Sequence, residues 1–383
     1  MSAATARMRR VGRDVLTSRA LNRATLARQL LLQRTPRDPV EVVTHLVGMQ
    51  AQNPLDPYLA LWSRLADFDP DAFGRLIEKR ELVRIVVMRS TIHLVTADDA
   101  LFLRPIMQPV IDAEMTRHSE YAPLLRGVDM APVVAFAHPL LTQSPMPLHK
   151  LRAVLAKRFP ELPTAAITYA CRNYLPLVQI PPRGVWGKKL QVTSTPLDSW
   201  LGRPLHTDAT IDEAVLRYLA AFGPALIADA AAWSRLTGFR EVFDRLRPQL
   251  RVFVDEKGRD LFDLPGAPRP DPDISAPVRF LPEYDNVLLS HADRSRFGAD
   301  AQLYASALGA YKGSVLVDGV VRAIWSSRLD KDTGVATATV HHRPLAPADS
   351  AAVEAEGRAA VEFWHPEADT QDVHMTPIPD RTG

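Results

Sequence analysis

Two glutamines separated by one small residue have the spacing of a candidate site. Gln50 and Gln52 lie in the segment GMQAQNP, residues 48–54, directly after a predicted helix. Pro54 disfavours the α conformation at Asn53, so the chain should leave the helix and become extended here. An extended backbone points alternate side chains to one side, so both amides can converge on one small polar guest.

Amide side chains limit the chemistry that this pair can perform. An amide can orient water and donate to an oxygen atom, but it does not titrate and so cannot be a general base. From the residues alone, Gln50 and Gln52 fit two interpretations: a polar loop or helix cap, and a catalytic pair that holds water and a sugar. Asp56, which follows closely, fits a turn or helix cap more simply than an electrostatic role.

Several other kinds of active site lack their motif in this sequence. There is no glycine-rich phosphate loop, no His-Glu-x-x-His zinc pair and no Gly-x-Ser-x-Gly elbow. His341 and His342 are adjacent, but neighbouring strand residues point to opposite faces and chelate one metal ion poorly. Cys171 is the single cysteine and is expected to be a buried, inert thiol. We therefore predict no metal and no cofactor.

Length and composition indicate a soluble protein of several domains. The chain has 383 residues, which at roughly 100 to 200 residues per domain predicts two to four domains. Hydrophobic residues make up 46% of the chain and charged residues 23%, which is typical of globular proteins. No apolar run reaches the roughly 18 residues that a membrane-spanning helix needs, and the N-terminus has no apolar signal-peptide core. We expect a cytoplasmic protein without a membrane partner.

Charge is unevenly distributed along the chain. The net charge of +2 combines residues 1–200, with 26 basic and 17 acidic groups (26 − 17 = +9), and a more acidic remainder. Residues 151–200 alone carry seven basic and two acidic groups. This pattern indicates a polyanion-binding N-terminal half, and a solvated basic face is the alternative interpretation.

The order of predicted elements is that of a winged helix, which is a helix-turn-helix followed by a hairpin. Asp38 before Pro39 predicts a helix start, and the Val- and Ile-rich residues 82–95 predict two strands around residues 88–90. The same order recurs twice. The predicted elements are helices 21–33, 39–49 and 70–79 with hairpin 82–95; helices 131–141, 148–159 and 165–174 with hairpin 178–192; and helices 211–221, 227–234 and 239–246 with hairpin 252–264.

The C-terminal part has the alternation of a β-sheet. Strands are predicted at residues 314–321, 321–329 and 335–342, with a hairpin turn at Asp318-Gly319, and a closing helix at residues 347–364. The predicted fold class is α+β, with three tandem winged-helix domains scaffolded by a C-terminal β-rich domain. The predicted domains are 15–125 (winged helix 1, with the glutamine pair), 130–205 (winged helix 2), 208–278 (winged helix 3) and 279–370 (scaffold).

Four blocks of sequence carry a resemblance to a known family. They are residues 47–58, the segment MRSTIHLV at 88–95, PPRGVWG at 181–187 and LPEYDNVLLSH at 281–291. Together they resemble the AlkZ/YcaQ family of winged-helix DNA glycosylases over about residues 15–365. The family's catalytic motif falls on Gln50 and Gln52, and glutamine at its second polar position resembles the AlkZ branch.

The resemblance implies a fold and a function. It implies winged helices that encircle duplex DNA, and a monofunctional glycosylase that hydrolyses the N-glycosidic bond of bulky N7-alkylguanine adducts or interstrand crosslinks. It also implies a role in self-resistance to DNA-alkylating natural products. The expected partner is double-stranded DNA containing alkylated guanine, bound by a monomer. Alkylation at N7 makes guanine a cationic leaving group, so positioned amides without a titrating acid are sufficient.

Basic side chains near the predicted hairpins are the candidate DNA contacts. We expect Arg89 and His93 on the first hairpin, and Arg183, Lys188 and Lys189 around the second, to contact DNA. The arginines and lysines can neutralise phosphates. His93 lies in an apolar strand and equally fits a satisfied core position or a position that faces the sugar. The rival function is a non-catalytic winged-helix transcriptional regulator, which commonly dimerises on half-sites, whereas this chain shows no long heptad seam.

Two further features of the sequence have an expected structural role. Trp186 could stack on a base or pack beneath its loop, and packing is favoured. Glu283, Asp285 and His291 have the residue types of an acid-base set, and we interpret them as hydrogen-bonding groups that join domains.

Overall fold

The computed structural model describes residues 14–298 and 313–378 of the chain. These residues form α-helices and three β-sheets, so the predicted α+β class is confirmed. No helix in these two ranges is long and apolar enough to cross a membrane.

The first part of the chain contains helices that pack on both faces of a β-hairpin. The cap predicted at Asp38 is confirmed, since its side chain accepts a hydrogen bond from the backbone N–H of Val40. The elements are β1 (Val15–Leu16), α1 (Ser18–Arg28), α2 (Pro39–His45), β2 (Met49–Gln50), α3 (Asp56–Trp62), α4 (Pro70–Glu78), β3 (Leu82–Val86), β4 (Ile92–Thr96) and α5 (Ala97–Arg117).

Helix α2 ends earlier than predicted, because the residues that follow turn the chain sharply. Val47 (φ 56°) and Gly48 (φ 84°) both adopt left-handed conformations, and the chain then enters β2. Gly48 lies against β4, where an added Cβ would come within 2.4 Å of a methyl carbon of Val95. Only glycine tolerates both that conformation and that contact. The turn places Gln50 on a strand, in agreement with the extended backbone that was predicted after the helix.

The second part differs from its prediction at the hairpin. Its helices are present as predicted to within two residues at each end. The hairpin consists of two short antiparallel strands, residues 177–179 and 194–196, and residues 180–193 form a long loop between them. The elements are α6 (Ala131–Gln143), α7 (Leu148–Arg158), α8 (Thr164–Tyr174), β5 (Leu177–Gln179), β6 (Ser194–Pro196) and α9 (Leu197–Leu201).

The first two parts share one β-sheet of order β2-β4-β3-β5-β6. Strand β3 pairs antiparallel with β5, with Arg84 opposite Gln179 and Ile85 opposite Val178. The hairpin of the first part is therefore not a separate wing, because its edge is covered by a strand from the second part. The count of three winged-helix domains and their boundaries at 15–125, 130–205, 208–278 and 279–370 stay predictions.

The third part packs against the tip of the β3–β4 hairpin. Its core includes Tyr218, Phe222 and Trp233, and this cluster also contains Val87 and Met88 from the hairpin turn. The elements are α10 (Ile211–Phe222), α11 (Ile227–Ser234), α12 (Phe239–Leu246), β7 (Arg251–Asp255) and β8 (Asp260–Asp263), with β1 adding to β7 in a parallel sense. The hairpin tip is thus fixed by two separate parts of the chain.

The C-terminal part is a five-stranded sheet with a helix on one face. Its strand order is β13-β12-β11-β10-β9, and the predicted turn at Asp318-Gly319 joins β10 to β11 with positive φ at both residues. The elements are β9 (Arg279–Leu281), α13 (Asn286–Leu289), β10 (Gly313–Val317), β11 (Val320–Leu329), β12 (Val335–His342), α14 (Pro347–Trp364) and β13 (Thr370–Pro377).

Candidate active site

Gln50 is held in a fixed orientation inside the shared sheet. It lies on β2 opposite His93 of β4, and only 7% of its surface is exposed. Nη2 of Arg89 donates a hydrogen bond of 2.8 Å to the side-chain oxygen of Gln50. Because the oxygen is occupied, the amide nitrogen is the end of Gln50 that remains to act on a guest.

Arg89 is positioned by the strained tip of the hairpin. Arg89 (φ 57°) and Ser90 (φ 58°) are both left-handed, which costs non-glycine residues energy and persists only where packing fixes the turn. Nη1 of Arg89 donates to the backbone carbonyl of Trp233 on α11 at 2.6 Å. Burial, with repulsion from Arg235 and Arg294, lowers the pKa of Arg89 to about 10, so it stays charged at neutral pH.

His93 is an uncharged partner of Arg89. Its Nδ1 lies 3.0 Å from the carbonyl oxygen of Thr91 and its Nε2 lies 3.2 Å from Nη2 of Arg89. This geometry assigns the proton to Nδ1 and makes Nε2 the acceptor. Burial and the charge of Arg89 lower the pKa of His93 to about 3. An uncharged ring that is 1% exposed has no surface for a phosphate here, so we infer that His93 orients Arg89.

Asn286 ties β2 to the C-terminal part. Its Nδ2 donates to the carbonyl of Gly48 at 2.6 Å, and its Oδ1 accepts from the backbone N–H of Gln50 at 3.4 Å. Asn286 begins helix α13, which Asp285 caps. Asp285 also forms a fully buried ion pair of 2.7 Å with Arg64 at the end of α3. Asp285 therefore joins the two parts as predicted, and Asn286 is a positioning residue that sequence reasoning missed.

Gln52 lies at the surface just beyond the buried strand. Its side-chain oxygen accepts a long hydrogen bond of 3.5 Å from the backbone N–H of Ile92. The residue is exposed to solvent. Ala51 between the glutamines is fully buried: its N–H donates to the carbonyl of Ile92 at 2.8 Å and its carbonyl accepts from Arg84 at 2.7 Å. The two amides thus face adjacent residues of β4, with Gln50 fixed and Gln52 accessible.

The loop between β5 and β6 carries the other predicted DNA contacts. Lys188 and Lys189 are exposed, and Lys188 forms a surface ion pair of 2.7 Å with Glu78. Arg183 is half-buried, and its Nε has no hydrogen-bond partner in the described ranges. These three residues belong to a different segment from Gln50, Arg89 and His93, and their contacts with DNA stay predictions.

Trp186 packs into the protein instead of standing free in this loop. Its ring lies 5.1 Å from Tyr58 and 5.3 Å from Phe363, measured between ring centroids. The hydroxyl of Tyr58 donates to the carbonyl of Gly184 at 2.8 Å and accepts from the backbone N–H of Trp186 at 3.1 Å. The loop is thereby held against α3, the helix that follows the glutamine pair.

Asp56 does not cap helix α3, although its position in the sequence suggests a cap. It lies in the first turn of α3, but Leu55 occupies the N-cap position and no side chain caps the helix. Asp56 is 4% exposed and its Oδ2 has no hydrogen-bond partner within residues 14–298 and 313–378. Burial, and then the charges of Glu283 and Asp285, raise the pKa of Asp56 to about 8. The cap prediction is therefore wrong.

A model of the family described as DNA glycosylase AlkZ-like matches residues 43–363. The chain belongs to the AlkZ-like DNA glycosylase family. The structure is also similar to that of Streptomyces sahachiroi DNA glycosylase AlkZ, with a TM-score of 0.75 and 22% identity, covering 94% of this chain and 100% of that chain. A comparison with curated proteins finds no match.

Membership of the AlkZ-like family confirms the resemblance drawn from the sequence, and it makes this chain a DNA glycosylase whose partner is DNA. The matched range contains Gln50, Gln52, the loop of residues 180–193 and Asp56. Among the described residues, no group of three or more His, Cys, Asp or Glu side chains is arranged to hold a metal ion.

Proposed function

We propose that this protein is a monofunctional glycosylase for cationic N7-alkylguanine, acting on bulky adducts and interstrand crosslinks and leaving an abasic site. The observation that carries the proposal is the hydrogen bond from Arg89 to Gln50 beside an accessible Gln52. It gives one fixed amide on a strand of the sheet and, two residues further along the chain, one exposed amide just beyond that strand. Pre-organised polar groups of this kind stabilise a developing charge without reorganising.

Each amide has a distinct task in the proposed reaction. The Gln50 amide donates to an oxygen of the sugar-phosphate strand, because its own oxygen is held by Arg89. The oxygen of Gln52 accepts a hydrogen bond from the attacking water. The bond between C1′ and N9 breaks, and its electron pair neutralises the cationic base as it leaves. Water then bonds to C1′ and releases a proton to solvent.

The substrate charge explains how the site works without a titrating acid at its centre. A neutral base needs protonation before it can leave, whereas N7 alkylation supplies the positive charge beforehand. His93, with a pKa of about 3, is an uncharged imidazole at neutral pH and so cannot act as the acid that protonates a leaving base. The proposed role is the repair of alkylated DNA, including self-resistance to DNA-alkylating natural products, by a monomer that binds one lesion.

The test is base release from defined duplexes. Duplexes with one N7-methylguanine, one bulky N7-alkylguanine or one N7-linked interstrand crosslink are incubated with the protein, and free base and alkali-labile sites are measured. We expect free base from the first two, separable strands from the crosslink, and no strand break before alkali. Failure to release any base, together with tight binding to one undamaged sequence, would support the rival function of a transcriptional regulator.

A further inference from the structure

A pocket of about 200 Å³ lies where α3 meets the C-terminal sheet. Asn53 and Asp56 contribute from the first part of the chain, and Glu283, Trp325 and Trp364 from the C-terminal part. At a share of roughly 30 Å³ per water molecule, its volume is that of several waters, which is larger than a single ion requires. One lining residue, Asn53, directly follows Gln52 in the chain, so the two Cα atoms are about 3.8 Å apart.

Two carboxyl groups in this pocket have an oxygen without a partner. Oδ2 of Asp56 and Oε2 of Glu283 are both buried and accept no hydrogen bond from the described residues. Buried polar atoms are nearly always paired, because an unpaired one loses its hydration without compensation. Since Asp56 is 96% buried (100 − 4% exposed), its free oxygen indicates a guest that supplies hydrogen-bond donors.

The charges around Asp56 indicate a guest of positive charge. Glu283 and Asp285 face it and disfavour its ionisation, whereas Arg84 opposes them, and burial has the largest effect. Asp285 is neutralised by its ion pair with Arg64, so Glu283 is the unpaired acid in its surroundings. With a pKa of about 8, Asp56 holds a proton at neutral pH, and an arriving cation would displace that proton.

Aromatic rings complete the pocket. Trp325 is 4% exposed and its indole nitrogen donates to the carbonyl of Leu281 at 3.0 Å, which fixes the ring. Trp364 lies at the end of α14, with its ring centroid 5.9 Å from that of Trp186. Faces of tryptophan rings attract flat cations. Glycosylases that extrude a base read its hydrogen-bonding edge and stack it on such side chains.

We propose that this pocket receives the extruded base of an N7-alkylguanine that is not linked to the opposite strand, while Gln50 and Gln52 hold its sugar. The edge of guanine bears two adjacent donors, N1–H and the exocyclic amine, which match the free oxygens of Asp56 and Glu283. The alkylated ring carries the positive charge that suits a pocket lined by two acids and two tryptophans. The inference rests on the proposed function, because it assigns the base of that same substrate.

The first test uses a nucleoside and needs no DNA. Binding of 7-methylguanosine to the full-length protein is measured at pH 6, where the nucleoside is cationic, by tryptophan fluorescence and by calorimetry in two buffers of different ionisation enthalpy. We expect saturable quenching, at least about tenfold weaker binding of neutral guanosine, and proton release from Asp56 on binding. No binding, or a binding enthalpy that is the same in both buffers, would overturn the proposal without any variant.

Variants locate the bound nucleoside. Asp56→Asn and Glu283→Gln keep the shape of each side chain, and each should weaken the binding of 7-methylguanosine at least about tenfold. Asp56→Asn should also abolish the release of a proton on binding. Glu362→Gln is the matched control, because Glu362 is an exposed acid on the same helix as Trp364. Unchanged affinity in both pocket variants, with melting temperatures equal to the wild type, would place the nucleoside elsewhere and overturn the proposal.

Excision assays separate this inference from the proposed function. If Asp56→Asn and Glu283→Gln release N7-methylguanine from duplex DNA at the wild-type rate, the pocket is not the base site, and the glycosylase proposal still stands. If the nucleoside binds as expected but the wild type releases no base from DNA, the pocket assignment is supported and the glycosylase proposal fails.

Discussion

The guanidinium of Arg89 donates a 2.8 Å hydrogen bond to the side-chain oxygen of Gln50, and the same nitrogen lies 3.2 Å from Nε2 of His93. Its other terminal nitrogen donates to the backbone of Trp233. Arg89 therefore contacts three secondary-structure elements: strands β2 and β4 of the first part and helix α11 of the third part. The orientation of the Gln50 amide depends on the docking of the third part against the hairpin tip.

Arg89→Lys should slow base excision by about tenfold while leaving DNA affinity nearly unchanged. Lysine keeps the charge but lacks the planar fork that serves Gln50 and Trp233 together. Single-turnover excision and binding are measured for Arg89→Lys, for Gln50→Ala and for the double variant. If Arg89 only positions Gln50, the double variant should excise the base little more slowly than Gln50→Ala alone, because both changes remove the same function.

One result for Arg89→Lys would instead support the prediction that Arg89 contacts a DNA phosphate. That role predicts weaker binding to damaged and undamaged duplex alike, with excision from the bound complex unchanged. Arg235→Lys is the control, because Arg235 is an exposed arginine whose charge acts on Arg89.

His93 should make the fold sensitive to acid. Its pKa of about 3 in the folded protein is below its ordinary value of 6.5, so the stability that it contributes is present above about pH 6.5 and is lost as pH falls towards 3. We expect the free energy of unfolding to fall less between pH 7 and pH 4 in His93→Gln than in the wild type. Equal acid sensitivity in denaturant titrations at both pH values would show that the buried ring is protonated in the folded state.

Lys188 and Lys189 should contribute to affinity without contributing lesion specificity. Each phosphate contact adds about 0.9 to the slope of log K against log salt concentration, so Lys188→Ala with Lys189→Ala should lower that slope and weaken binding to any duplex. Glu78→Gln should have the opposite effect, because it frees Lys188 from its ion pair. If the salt titrations of both variants match that of the wild type, this loop lies outside the DNA interface.

Uracil in DNA should be a poor substrate compared with a cationic N7 adduct. Uracil leaves as an anion unless it is protonated, and the amides of Gln50 and Gln52 hold no titratable proton. Excision rates are compared on duplexes that differ only in the lesion. Rapid uracil release would point to a protonating group, with Asp56 the first to examine, since its raised pKa keeps a proton on it at neutral pH.

Local signals in the sequence were sufficient for most of the helices and turns. Asp38 and Pro39 fixed the start of α2, and Asp318 with Gly319 fixed the turn between β10 and β11, because caps and tight turns depend on a few adjacent residues. Helix α5 has a local start signal, since the side chain of Thr96 accepts a hydrogen bond from the backbone N–H of Asp99, but residues within the helix oppose it. It contains Pro105 and Pro109, which normally break a helix, and its buried side chains outweigh them.

The surroundings of the glutamine pair depended on contacts between distant segments. The sequence placed Gln50 and Gln52 at a break after a helix, and that break exists. It could not show that β5 covers β3, that Arg89 docks on α11, or that Asn286 holds the strand of Gln50. Pairings of this kind are set by tertiary packing and leave no local pattern.

The role of the two glutamines is tested most directly by single-turnover excision of an N7-alkylguanine with alanine variants. Gln52→Ala should lower the rate at least about tenfold, or roughly 1.4 kcal/mol of transition-state stabilisation, with melting temperature and DNA affinity nearly unchanged. Gln50→Ala should also slow the reaction, and the double variant should lose less than the sum of the two. Excision at the wild-type rate by both single variants, with unchanged melting temperatures, would contradict a catalytic role for the pair.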